Sequence, residues 1–171
     1  MIVDDFWRLI DTDLGGAIDE GKAGALTARL ATYPPADILA FADHLAKLLY
    51  GLDNPDSAAQ LAVDPTVGSD PFSMSDDVFL YARCAVVSAG PLVYERVLTD
   101  PTQMAGSWPV FDGEYLLGIA PQAYQIATGD DYDHESPVSY ETGANAAMWG
   151  NRSRPWSPRH HMWPRPARGS R

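Results

Sequence analysis

Apolar residues recur at three- and four-residue intervals through almost every segment before residue 130, the spacing of helices with one buried face. From Asp4, a residue suited to an N-cap, the side chains of Phe6, Leu9 and Ile10 share one face with Trp7 beside them, and Gly15-Gly16 predicts the end of that helix. Ala23, Leu26, Leu30 and Tyr33 set out a second helix that stops at Pro34-Pro35. Proline in the first turn then opens the longest pattern. Its Ile38, Phe41, Leu45, Leu48, Leu49 and Leu52 make a continuous apolar stripe, opposed by Asp37, Asp43 and Lys47.

Residues 53–74 carry turn chemistry instead: Asp53-Asn54-Pro55, Asp64-Pro65 and Gly68-Ser69-Asp70-Pro71, with one short helical piece from Ser57 to Val63. Periodicity returns after Ser75, an N-cap followed by Asp76 and Asp77, acids that suit the positive end of a helix dipole. Val78, Ala82, Ala85 and Val86 form the buried face there, and Gly90-Pro91 closes it. Pro91 starts a further helix through Leu98, ended by Asp100-Pro101. The last pattern runs from Gly113 to Thr128 with Tyr115, Leu116, Ile119, Ala123 and Ile126 inward, a kink expected at Pro121 and an end at Gly129. No segment alternates with period two for long enough to demand a sheet, although Val138–Tyr140 suits a short extended piece. The expectation is an all-α fold, a compact multi-helix domain with proline-rich turns and a disordered C-terminal tail.

Composition agrees with one domain. The chain has 171 residues, 46% of them apolar and 11% aromatic, enough for one hydrophobic core. Cys84 is the single cysteine, so no internal disulfide and no cysteine-based metal site can form; set among Tyr81, Ala82, Ala85 and Val86 it reads as a small core hydrophobe. No stretch approaches the 18 apolar residues of a membrane span, and the N-terminus lacks an export pattern. The expected setting is the cytoplasm, with no membrane association.

Charge divides the chain near residue 150. All 23 acidic residues precede it, against six basic ones, whereas the remainder holds six arginines, four prolines and no acid. The expected domain is residues 1–143, followed by a linker and Arg/Pro-rich tail over 144–171, because repeated proline blocks helix formation there. As a functional arm the tail would bind nucleic acid or anionic lipid, with Trp156 and Trp163 stacking. Other readings are an arm folded back on its acidic body, an expression remnant, or a misread GC-rich extension. An acidic body repels polyanions, so nucleic acid is disfavoured as the partner.

The segment Met1–Asp11, the run Leu26–Leu45, Ser75-Asp76-Asp77 followed by Tyr81-Ala82-Arg83, Val93-Tyr94-Glu95, Leu98–Pro101, and Gly113-Glu114-Tyr115-Leu116 with Ala123-Tyr124 and Thr128-Gly129 form one ordered pattern. It resembles the bacterial domain-of-unknown-function family 4240 (DUF4240), common in actinobacteria, over most of residues 1–143. The resemblance implies a largely helical domain and carries no activity. Relatives usually have a Trp-rich, Gly-containing stretch before the Ser-Asp-Asp element, which residues 58–74 replace here.

Chemistry is sparse. Asp130, Asp131, Asp133, His134 and Glu135 lack the glycine and terminal Glu spacing of a calcium loop. His44, His134, His160 and His161 show no metal-ligand spacing within the folded part, and no nucleotide or nucleophile-elbow motif occurs. No metal and no cofactor is therefore expected. Trp108, in a Gly-Ser-Trp-Pro loop, suits an exposed anchor for a partner. The leading expectation is a non-enzymatic, acidic protein-interaction module that meets a basic protein partner. The alternative is a hydrolase or transferase whose carboxylate site assembles Asp76, Asp77 and Glu114 by folding. The candidate site residues are thus Asp76, Asp77, Trp108 and Glu114.

Overall fold

The computed structural model describes residues 1–63, 75–104 and 111–152. Among these the fold is all-α, with eight helices and no strand: α1 (Val3–Asp13), α2 (Glu20–Leu30), α3 (Pro35–Gly51), α4 (Pro55–Val63), α5 (Asp76–Ser88), α6 (Pro91–Thr99), α7 (Tyr115–Thr128) and α8 (Ala146–Trp149). Two 3-10 turns, Pro101–Met104 and Phe111–Glu114, join them. The expected tail from residue 153 onward and the turns at Asp64-Pro65 and Gly68–Pro71 lie outside the described residues.

The helices begin and end largely where local chemistry dictates. Ser75 accepts a hydrogen bond from Val78 N at 3.2 Å and starts α5, and Asp19 does the same for α2 through Lys22 N at 2.8 Å. Gly129 closes α7 at φ 78°, a left-handed conformation that costs glycine nothing. Asp4 differs from expectation: α1 begins at Val3, with Ile2 at the cap position, so Asp4 and Asp5 occupy the first turn and face the dipole instead of capping it.

Helix α7 packs between α2 and α3, and α5 packs against α3, α6 and the turn Phe111–Glu114. Fully buried Phe6, Phe41, Ile10, Leu26, Leu30, Leu49, Phe79 and Val86 fill the interior, with Phe6 and Phe41 rings 4.7 Å apart. Cys84 is buried, and desolvation pushes its thiol up to about 12. The α5–turn junction is tight at Gly113, where an added Cβ would lie 2.2 Å from the Tyr81 carbonyl oxygen. Two expected core positions of α7 are corrected. Ile126 is 65% exposed and Tyr115 36% exposed, whereas the buried positions of α7 are Leu116, Ile119, Ala120 and Ala123.

The chain keeps packing beyond residue 143. Three side chains add donors to the carbonyls of the last turn of α3: Tyr94 OH to Leu48 O at 3.3 Å, Arg83 Nη1 to Leu49 O at 3.0 Å and Asn145 Nδ2 to Tyr50 O at 3.0 Å. Buried Asp53 accepts from Gly143 N at 3.0 Å, Asn145 N at 2.9 Å and Trp149 Nε1 at 2.8 Å. Thr142 completes the seam, donating to Asp76 O at 2.7 Å and accepting from Arg83 Nη2 at 2.9 Å. Arg152, the first arginine of the basic run, folds back to Asp56 at 2.7 Å.

Candidate functional site

Two concavities lie along α7, and Leu117 lines both. The first is a groove of about 610 Å³ between α2 and α7, floored by Ala23, Gly24 and Gly118. Small residues there leave open space between the longer side chains, and an added Cβ at Gly24 would meet nothing within 4 Å. Tyr81, Tyr115, Gln122, Thr27, Glu20 and Glu114 stand around that floor. Both carboxylates are exposed, and no basic side chain lines the groove. Burial first, then the neighbouring Glu114 carboxylate and the charge of Asp77, hold the Tyr81 phenol pKa above the ordinary tyrosine value.

This geometry distributes the expected carboxylates. Glu114 lines the groove, and Asp77 is close enough for its charge to act on the same tyrosine. Asp76, the next residue on α5, acts on Arg83 instead, and its carbonyl accepts from Thr142. Adjacent positions on a helix point about 100° apart, which separates them. Trp108 lies outside the described residues.

The second concavity, about 370 Å³, is roofed by residues 132–141. Ala42 and Leu45 of α3 and Leu117, Ala120 and Pro121 of α7 form its floor. The roof is extended: Tyr132, His134, Ser136, Val138 and Tyr140 are half-buried, whereas the residues between them are exposed. That alternation is written in the sequence, as Tyr-Asp-His-Glu-Ser-Pro-Val-Ser-Tyr-Glu, and it extends further than Val138–Tyr140. The segment is laid on a helical floor without forming a strand.

His134 Nε2 meets Asp43 Oδ1 at 2.8 Å, and the Tyr132 ring packs edge-on against Tyr124 at 5.8 Å and His134 at 6.0 Å. The sequence places Asp43 on the solvent face of α3; the roof covers that face. Burial, followed by the charge of Asp43, raises the Tyr132 pKa, and burial followed by Glu141 raises that of Tyr140. Pro121 has no N–H, so the Leu117 carbonyl receives no helical bond from residue 121. Both residues line this cavity.

Arg83 is fully buried, with its guanidinium 4.8 Å above the Phe79 ring. Desolvation lowers its pKa, and the charges of Asp53, Glu141 and Asp76 oppose that shift. Its contacts join α3, α5 and Thr142, a structural role that spacing along α5 does not reveal. Among the described residues no three His, Cys, Asp or Glu side chains converge as metal ligands, and no helix is long and apolar enough to cross a membrane.

A family model described as "Protein of unknown function (DUF4240)" matches residues 1–126. No curated protein and no solved structure matches the chain. The groove between α2 and α7 lies wholly within the matched residues, whereas the roof of the second cavity follows them. The chain therefore belongs to the DUF4240 family.

Proposed function

We propose that this DUF4240 protein is a non-enzymatic, acidic protein-interaction module, and that its groove between α2 and α7 receives a lysine or arginine side chain from a basic partner. The observation that carries this reading is the groove's lining: Glu20 and Glu114 with two tyrosines and no basic group. The charge around it has the same sign, since residues 1–150 hold 23 acids against six bases. Opposite fields accelerate encounter and select partners, and an aliphatic stem fits over Ala23, Gly24 and Gly118. The single buried thiol suits a cytoplasmic setting.

The test is a quantitative pull-down from the native host, with the full chain and its Gly24→Leu variant as baits at low and high salt. An added Cβ at Gly24 meets nothing within 4 Å, so a leucine there enters open space in the groove, and circular dichroism of the variant checks that its helices are kept. A stoichiometric basic protein should be held by the parent, weakly by the variant, and released by salt. Retention insensitive to both changes would sink the reading. A hydrolase or transferase site has narrower support, namely Tyr81 with Glu114 and Asp77 around it. It requires Glu114→Gln to abolish turnover while the partner remains bound.

A further inference from the structure

We propose that the cavity beneath residues 132–141 is a binding site for a small primary amine with an apolar or aromatic body. Its volume, about 370 Å³, lies at the small end of ligand pockets. Five apolar side chains of α3 and α7 make the floor, and the rings of Tyr132 and Tyr140 face them from the roof. A flat or aliphatic body placed there leaves water on both sides. Tyrosine rings also attract cations through their negative faces.

Charge selects the head group. Glu135 and Glu141 line the cavity as exposed, acidic groups, and Asp43 lies behind His134. No lysine or arginine is among the lining residues. A carboxylate or phosphate ligand would meet the two glutamates as like charges, whereas an ammonium group finds two counter-charges. The backbone adds an acceptor. Residues i and i+4 share a helix face, so the carbonyl of Leu117 points toward Pro121, which cannot donate to it. An ammonium N–H reaching that carbonyl from the cavity, beside the proline ring, would supply the donor that Pro121 lacks. The side chains of Ser136 and Ser139 offer further oxygens around the same space.

This site adjoins the groove proposed to hold a protein side chain, with Leu117 lining both, but it is otherwise built from different residues, partly beyond the family match. Titration calorimetry of the full chain with phenethylamine, its neutral isostere phenethyl alcohol and phenylacetate tests it, with amide chemical shifts locating the contact. Phenethylamine should bind with shifts at residues 132–141, the alcohol about tenfold or more weakly, and phenylacetate not at all. Glu141→Gln and Glu135→Gln should each weaken the amine several-fold, while Asp4→Asn, an equal charge change on exposed α1, should not.

Pro121→Ala supplies the decisive variant. It restores the N–H to Leu117, so the amine should weaken while thermal stability holds or rises. A loss of binding with a fall in stability would be misfolding, and the two glutamine variants then decide. The proposal is overturned if phenethylamine does not bind, if the alcohol binds equally, if the shifts lie elsewhere, or if the glutamine variants bind as the parent does.

Discussion

Asp53→Asn should destabilise this protein more than any surface carboxylate change, because one buried side chain holds the whole segment from Gly143 to Trp149. Its two oxygens accept from Gly143 N, Asn145 N and Trp149 Nε1, all between 2.8 and 3.1 Å. Asparagine keeps the volume but retains one oxygen, and its amide directs donors at donors. A hydrogen bond to a charged group contributes about 1.5–3 kcal/mol net. The bonds share one carboxylate and do not add fully, and the substitution also removes a charge that offsets the desolvation of Arg83. Breaking one side of such a buried network costs about 3–5 kcal/mol.

For a chain of this size each kcal/mol moves Tm by roughly 2–4 °C, so a fall of roughly 6–20 °C is expected. Urea denaturation followed by far-UV circular dichroism and by Trp fluorescence gives the free energy. Trp149→Phe alone should cost about 1.5–3 kcal/mol, the size of one charge-assisted bond plus a small packing loss. Combined with Asp53→Asn it should cost clearly less than the two separate effects together, since the bond is already gone. A loss under about 1 kcal/mol for Asp53→Asn, or strict additivity in the cycle, would refute the assignment of Asp53 as the anchor.

The same seam predicts that a chain ending at residue 143 is less stable than one ending at residue 152, and differential scanning calorimetry of the two separates them. Gly113→Ala should fail to fold stably, since its Cβ would lie 2.2 Å from a backbone oxygen of α5, and a Tm within a few degrees of the parent would contradict that packing. Cys84 should resist thiol reagents until the protein unfolds. Its folded pKa near 12 lies above its unfolded value, so the stability it contributes is present below the unfolded thiol pKa and is lost as pH rises toward 12. Cys84→Ala should flatten the decline in denaturation free energy between neutral and alkaline pH, and an unchanged slope would count against it. His134→Ala should loosen the roof, seen as faster amide exchange over residues 132–141, with core helices unaffected.

The local sequence determines the helices and most of their inward faces. Proline in the first turn of α3 and α6, Ser75 before α5 and Gly129 after α7 act within a few residues, so their effect is readable without the rest of the chain. The family pattern is legible for the same reason, being an order of such signals along residues 1–126. Tertiary contact decides the remainder. Ile126 has core-like spacing but is left exposed. Asp43 has surface spacing but lies under a segment that returns 91 residues later. Arg83 and Asp53 look like ordinary polar residues until the end of α3 and the segment from Thr142 to Trp149 meet around them. Helical period reports which side of an element is apolar; which neighbour arrives there, and whether a charge is thereby buried or left to water, depends on packing across the chain.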